Sequence, residues 1–285
     1  MTESKPKKSP RTSADQGRAY YLYCIGEQEA LASVYGKEMP PPIEPDTRFV
    51  KIDATGLSAV TSLVPLADYG EDALQSRMTD ATWVAVRAMR HEKVVEHFAS
   101  RASVVPLRFG TIYLEGENVE LMMDERRDEL LAIIERLRGR EEWGINVYSD
   151  RAKLMEAIVS LSPRLSELSE QAARVSPGQS YLMRKKIDSL REAEARAETR
   201  RAAVAIEREL LNGAADASAR LRVLKDEAAE QGEVAARLAF LVERERFNEF
   251  RAVAERLARE YEGAGFKLEL TGPWPAYNFA AGGRE

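Results

Sequence analysis

The sequence predicts an α+β protein made of two domains. Its 285 residues exceed the length of one typical domain. Short segments with alternating apolar residues, typical of half-buried strands, occur in both halves of the chain. Between them lie longer segments in which apolar residues recur every three or four positions, as in helices. The helical pattern of the first half ends in charged residues at 139–142. We therefore predict an N-terminal α+β domain at 19–140 and a C-terminal domain at 141–285.

The predicted N-terminal domain begins after a basic segment, 1–18, which lacks apolar periodicity. We expect a disordered tail there, or alternatively a segment that docks onto an acidic surface. Strands are predicted at 20–25, 49–52 and 57–64, and the link at 53–56 is a candidate hairpin turn.

Two helices complete this domain. Asp80 can cap a helix that runs to about Ser100 and carries His91 on its apolar stripe. An extended segment at 104–113 follows, and Glu117 opens a second helix whose buried face extends to position 137.

The predicted C-terminal domain opens with a strand at 143–148. A core-facing helix follows from about Asp150, bent near Pro163. Near the end of the chain the pattern predicts a β-α-β frame with a strand at 238–242, a helix at 247–261 and a strand at 266–270.

Residues 178–231 are rich in alanine, arginine and glutamate and predict an inserted helical hairpin that turns at Asn212-Gly213. The apolar seam along its first helix is weak because charged residues, among them Arg201 and Arg208, interrupt it. The hairpin either packs on itself or binds a partner.

Composition excludes several functional classes. The net charge of −5 provides no excess positive charge for nucleic acid. No apolar run is long enough for a bilayer span or a secretory signal. The chain has a single cysteine, Cys24, in a buried strand pattern, so no internal disulfide can form and a packed, inert thiol is expected. We expect a cytoplasmic protein with no nucleic-acid or lipid-membrane partner.

The sequence contains no motif for catalysis, a cofactor or a metal. Phosphate-binding, dinucleotide-binding and nucleophile-elbow signatures are absent. His91 and His97, the two histidines, project in different directions from one helix and cannot share a metal ion. A hydrogen-bonded core histidine is favoured for His91 over a catalytic base. The prediction is a protein that is not an enzyme and holds neither cofactor nor metal.

Two segments are candidates for binding partner proteins. Arg108 stands between apolar residues on an extended segment, so it either forms a buried ion pair or faces a partner. The proline-rich end of the chain, 271–285, carries three aromatic rings, which either pack back on the domain or present an apolar patch. The candidate partner-binding residues are Arg108, Phe109, Trp274, Tyr277, Phe279, Arg201 and Arg208.

Several segments together resemble the gas vesicle protein F/L family. The strongest are Pro-Leu-Arg-Phe-Gly-Thr at 106–111 and Leu-Thr-Gly-Pro-Trp-Pro at 270–275. They are supported by Tyr-Gly-Glu-Asp-Ala-Leu at 69–74, by His91-Glu92 and Val94-Val95, and by Glu-Glu-Trp-Gly at 141–144. The resemblance extends from about Tyr20 to Phe279, apart from the alanine-rich insertion.

This resemblance implies two α+β domains, the second similar to a modified ferredoxin-like fold, and a role in building gas vesicles. It implies an accessory protein that binds the hydrophobic shell subunit and other assembly proteins during vesicle nucleation. The alternative is a minor structural component of the mature shell, retained on its gas-facing surface. Either role places the protein in the cytoplasm with the gas vesicle.

Overall fold

A computed structural model describes residues 17–36, 38–221, 228–229 and 232–280, the pair 228–229 by its backbone only. The chain forms two compact units, Met1–Arg138 with Pro275–Glu285, and Gly139–Trp274. Both units combine helices and strands, as the α+β prediction required. Most of the predicted basic tail lies outside the described residues, and its last residue, Arg18, already begins the first strand.

Unit 1 is built on an antiparallel sheet in the order β2-β3-β1-β4, with β5 paired to β1. The hairpin turn predicted at 53–56 is confirmed, with positive φ at Thr55 and Gly56 as tight hairpins require. The strands are β1 (Arg18–Glu27), β2 (Phe49–Ala54), β3 (Leu57–Pro65), β4 (Val104–Pro106) and β5 (Ile112–Tyr113).

The helices of unit 1 cover the apolar residues of this sheet. Asp80 caps the fourth helix as predicted, because its side chain accepts hydrogen bonds from the amides of Thr82 and Trp83. The single helix predicted from Glu117 is two helices, since Arg126 leaves helical geometry between them. The helices are α1 (Gln28–Val34), α2 (Leu66–Tyr69), α3 (Glu71–Arg77), α4 (Ala81–Ala99), α5 (Gly116–Glu125) and α6 (Arg127–Leu137).

Unit 2 contains a second antiparallel sheet in the order β10-β6-β9-β7, and β8 pairs with β9. Apart from β8 and the additional helices, its elements follow one another as β-α-β-β-α-β, the succession that a ferredoxin-like fold requires. The elements are β6 (Arg140–Ser149), α7 (Arg151–Leu161), α8 (Pro163–Ala173), α9 (Pro177–Gly213), β7 (Ala217–Leu221), β8 (Ala228–Ala229), β9 (Gly232–Glu243), α10 (Phe247–Glu262) and β10 (Phe266–Trp274).

The predicted helical hairpin at 178–231 is wrong. The structure has one 37-residue helix, α9, which ends at Gly213 and is followed by strand β7. The turn was placed correctly, but residues 217–221 alternate in side-chain character and pair with β9, so they form a strand instead of a returning helix. The predicted bend near Pro163 is also a break, because Ser162 caps a new helix with Pro163 in its first turn.

The predicted C-terminal tail at 271–285 is divided between the two units: 271–274 complete a strand of unit 2, as predicted, whereas Pro275–Glu285 belong to unit 1. Strand β10 ends at Trp274, and the short helix α11 (Tyr277–Ala280) packs against β4 and α6 of unit 1. The difference arises because Phe279 and Ala280 become buried there, a long-range contact that no local pattern reveals.

Candidate interaction sites

Tyr277 fastens the C-terminal segment into a cluster of buried polar groups in unit 1. Its hydroxyl donates a hydrogen bond to Oε2 of Glu92 at 3.1 Å and lies 3.2 Å from Nε2 of His91. Glu92 and His91 are neighbours on α4. Phe279 follows Tyr277 in the short helix α11 and is buried. The segment is therefore held by both hydrogen bonds and apolar burial.

His91 is only 2% exposed and uses both ring nitrogens. Nε2 lies 3.1 Å from the carbonyl oxygen of Leu107. Because a carbonyl can only accept, Nε2 carries the proton and Nδ1 accepts from the Tyr21 hydroxyl at 2.9 Å. Tyr21 in turn accepts from the amide of Gly110 at 3.1 Å. Each group in this chain of hydrogen bonds is satisfied.

Burial sets the protonation of these groups. Desolvation lowers the pKa of His91 to about 4, against a smaller opposing effect from its hydrogen bond to Leu107, so the ring is neutral at pH 7. Desolvation also raises the pKa of Tyr21 and of Tyr277, and the nearby Glu92 carboxylate adds to the effect on Tyr277. Both phenols stay protonated and remain able to donate.

This cluster is suited to holding structure together and poorly suited to catalysis. A general base needs a free lone pair within reach of a substrate, but Nδ1 of His91 is engaged by Tyr21 inside the core. The prediction of a hydrogen-bonded core histidine is confirmed. Among the described residues, no group of three or more His, Cys, Asp or Glu side chains could hold a metal ion.

Arg108 is exposed, and no carboxylate pairs with it within the described part of the chain. The buried ion pair considered for it is therefore not formed among these residues, and its guanidinium remains available to a partner. Phe109 instead turns towards the core, with its ring centroid 6.3 Å from that of Tyr21 and 6.0 Å from that of His91.

Trp274 is the exposed aromatic residue of the C-terminal segment, with half of its surface accessible (50%). Its Nε1 donates to Oγ1 of Thr271 at 3.2 Å, and Thr271 pairs with Gly144 across β10 and β6. A side chain at Gly144 would displace Thr271, since a Cβ atom there would lie 2.5 Å from Oγ1 of Thr271. Two of the segments that carry the family resemblance thus meet in unit 2.

Arg201 and Arg208 are exposed on α9. Arg201 forms an ion pair with Glu198, at 2.7 Å from Nη2 to Oε2. Of the seven candidate residues, four therefore present exposed side chains: Arg108, Trp274, Arg201 and Arg208. Tyr277 and Phe279 hold the C-terminal segment in place, and Phe109 packs against Tyr21 and His91.

Unit 1 also carries an apolar groove that was not predicted from the sequence. Val86 and Met89 are exposed on α4, Met89 to 58%, and together with Pro40 and Pro41 they line a cavity of about 270 Å³. Arg90 and Lys93 also line it. The sequence does contain a signal for this groove, since Val86 and Met89 are three positions apart on the face of α4 opposite its buried stripe.

Comparison with known proteins identifies the family. The family model described as "Gas vesicle synthesis protein GvpL/GvpF" matches residues 19–281. The chain is 28% identical over 228 residues to a gas vesicle protein L of Streptomyces sp. strain CB03234, covering 79% of this chain and 80% of the relative. It is also 28% identical over 197 residues to gas vesicle protein F of the same strain, covering 67% and 76%.

Two crystal structures share the fold. Gas vesicle protein GvpF from Anabaena sp. PCC7120 aligns with a TM-score of 0.66 at 17% identity, covering 94% of this chain and 98% of that one. GvpF from Microcystis aeruginosa aligns with a TM-score of 0.56 at 19% identity, covering 92% and 99%. Fold and site define a two-unit α+β protein whose C-terminal segment is fastened into the first unit. The chain belongs to the gas vesicle GvpL/GvpF family.

Family membership implies a role in gas vesicle formation. In the part of the chain that the structure describes, no helix combines the length and apolar character needed to cross a membrane.

Proposed function

We propose that this protein is an assembly accessory that binds the hydrophobic shell subunit of the gas vesicle, together with other assembly proteins, while the vesicle nucleates. Its place of action is the cytoplasm and the growing vesicle, and it acts by binding and not by catalysis. An apolar shell subunit aggregates unless other proteins cover or order its exposed faces, so a binding protein is sufficient for this task.

The groove on unit 1 is the observation that carries this proposal. Val86, Met89, Pro40 and Pro41 present apolar atoms to solvent in a concave site, the arrangement expected of a surface that takes an apolar segment of a partner. Burying Met89 against such a segment contributes about 1.5–3 kcal/mol of binding free energy. The exposed residues Arg108, Trp274, Arg201 and Arg208 provide further contacts in this proposal.

The test is a pull-down of the tagged shell subunit co-expressed with the full chain. In the variant Val86→Asp/Met89→Glu, two carboxylates enter the groove, and we expect at least about a tenfold loss of captured protein because a charge is costly to bury. The matched control is Met78→Asp/Leu114→Glu, which places the same charges on exposed apolar positions that belong neither to the groove nor to the other candidate contacts. Equal capture of both variants would refute the groove as the binding site.

The polar candidates are tested in the same assay. We expect Arg108→Ala and Trp274→Ala each to weaken capture, because each removes an exposed side chain that contacts the partner in this proposal, and circular dichroism establishes that each variant stays folded. Vesicle formation that continues unchanged after deletion of the gene would refute the assembly role as a whole.

A structural role is the second candidate, because exposed apolar side chains such as Met89 and Trp274 also suit permanent attachment to an apolar shell. In that case the protein remains in purified, washed vesicles in constant proportion to the shell subunit. Mass spectrometry of such vesicles distinguishes the two roles, since an assembly accessory is lost on washing.

A further inference from the structure

The first turns of α9 present a basic and aromatic face to solvent. Tyr181 is 58% exposed and Leu182 is 64% exposed. The ammonium group of Lys185 lies 5.2 Å from the centre of the Tyr181 ring, and Arg184 and Lys186 flank this pair, both exposed. We call these five residues the α9 basic face.

The charges of the α9 basic face are not compensated within the described residues. No carboxylate forms an ion pair with Arg184, Lys185 or Lys186 there. Further along the same helix, arginines pair with carboxylates three or four positions away, as Arg196 does with Glu192 and Arg201 with Glu198. The basic face is thus a local excess of three positive charges beside two exposed apolar side chains.

Helix α5 of unit 1 presents the opposite arrangement. Leu121 is 55% exposed, on the side of the helix away from the buried residues Val119 and Met123. Exposed carboxylates surround Leu121, and none of them forms an ion pair within the described residues. The α5 acidic face consists of Leu121 with Glu117, Glu120, Asp124 and Glu125.

We propose that the α9 basic face of one copy of this chain docks onto the α5 acidic face of a second copy. The two faces carry opposite charges, and each has an exposed apolar side chain that the other can cover. Contacts between identical faces are disfavoured because they would bring like charges together. The contact is therefore heterologous, and each bound copy retains one free face on which a further copy can dock.

The physical character of the contact follows from its composition. A single helix face against another buries a small area, so the association is weak and depends on concentration. Charges that remain partly solvated are screened by salt, with a Debye length of about 10 Å at 0.1 M ionic strength. Association is therefore strongest in low salt. This inference concerns self-association and does not depend on the proposed function.

Sedimentation velocity of the purified full chain, over two decades of concentration in low and in high salt, tests the proposal. We expect oligomers in low salt that dissociate in high salt. The variant Arg184→Glu/Lys185→Glu should raise the dissociation constant at least about tenfold. The matched control Arg196→Glu/Arg200→Glu makes the same charge change at exposed positions of α9 outside the basic face and should associate like the wild type.

A charge swap identifies the partner face. The variant Glu120→Lys/Asp124→Lys should by itself also associate at least about tenfold more weakly than the wild type. A mixture of it with the Arg184→Glu/Lys185→Glu variant should associate, because each α9 face then meets an α5 face of opposite charge on the other variant. Combining the four substitutions in one chain should restore self-association. A wild-type chain that stays monomeric in low salt would overturn the proposal. So would failure of the mixture and the four-fold variant to associate.

Discussion

A single hydroxyl group joins the C-terminal segment to the polar cluster of unit 1. Tyr277 contacts Glu92 and His91 through its oxygen. His91 in turn forms hydrogen bonds with the carbonyl group of Leu107 and the hydroxyl group of Tyr21. Because buried polar groups are costly when unpaired, removal of one member affects the groups that it leaves behind. The stability of unit 1 therefore depends on the protonation state of each group in this cluster.

Replacing Tyr277 by Phe removes this hydroxyl while keeping the ring. We expect the free energy of unfolding to fall by about 1–3 kcal/mol, because Glu92 loses a donor in a site where desolvation already raises its pKa. Urea denaturation measures the change, and hydrogen exchange at 277–280 shows whether the segment opens. The control is Tyr181→Phe, in an exposed ring, where little change is expected. Equal stability of both variants would contradict the assigned hydrogen bonds.

Acid should destabilise unit 1 through its histidines. Desolvation lowers the pKa of His91 from 6.5 to about 4 and lowers that of His97 as well. The unfolded chain then binds more protons than the folded one between these values. Stability is thus fully present above about pH 6.5 and is lost as the pH falls towards 4. For His91 the shift corresponds to about 3 kcal/mol.

Glu92 opposes this trend, since burial raises its pKa and its folded form binds a proton more readily. The pKa values of two imidazoles are lowered and that of one carboxyl is raised, so we expect the histidines to determine the net loss of stability between pH 6.5 and 5. An NMR titration of both imidazole rings, with urea denaturation at pH 7 and pH 5, checks the prediction. A folded-state pKa near 6.5 for His91 would contradict it.

At the scale of elements, the sequence predicted those features that local pattern determines. The paired strands of unit 1, the turn before Gly56 and the cap at Asp80 follow from alternation and from single residues with strong conformational preferences. Placement of His91 on an apolar stripe predicted a core histidine. Its partners could not be predicted, because Tyr21 and Tyr277 are separated from it by 70 and 186 positions in the sequence.

Helix α9 shows why the insertion was misread. Its buried side is made largely of alanines, with Ala195, Ala202 and Ala203 beside Ile206 and Leu210, and a stripe of small residues gives a weak apolar signal. In the structure those small residues let α9 lie close to its neighbours α7, α8 and α10. This buried side differs from the predicted seam, on which Arg201 and Arg208 are exposed, so the weakness of that seam does not indicate a helix that lacks a partner.

Close packing along α9 predicts that enlarging two alanines of this helix has very different effects on the free energy of unfolding. Ala202 is 2% exposed, so Ala202→Leu should overpack the core and lower the unfolding free energy by about 1–3 kcal/mol. Ala193 lies on the exposed side, and Ala193→Leu should change stability by less than about 0.5 kcal/mol. Urea denaturation of both variants measures the difference. Similar values would show that Ala202 is not closely packed.

At the scale of the whole molecule, the chain leaves unit 1 after Arg138 and returns to it at Pro275. Within unit 2 the departing and returning strands are neighbours, since Glu142 pairs with Trp274. Unit 2 is therefore an insertion whose two ends lie together, as in domains that tolerate separation from their hosts. Unit 1, in contrast, is made of two segments of sequence and depends on the second for Tyr277 and Phe279.

This arrangement predicts opposite responses to cutting the chain at Trp274. The fragment Gly139–Trp274 holds its own sheet and core, so it should fold alone and unfold in one cooperative transition. Deleting 275–285 from the full chain should destabilise unit 1, because burial of Phe279 alone contributes about 1.5–3 kcal/mol. Calorimetry of the full and truncated chains should therefore show the unit 1 transition shifted down by several degrees. The transition shared with the isolated fragment should stay in place. A shift of that second transition, or a fragment that does not fold, would mean that unit 2 depends on the segment that follows it.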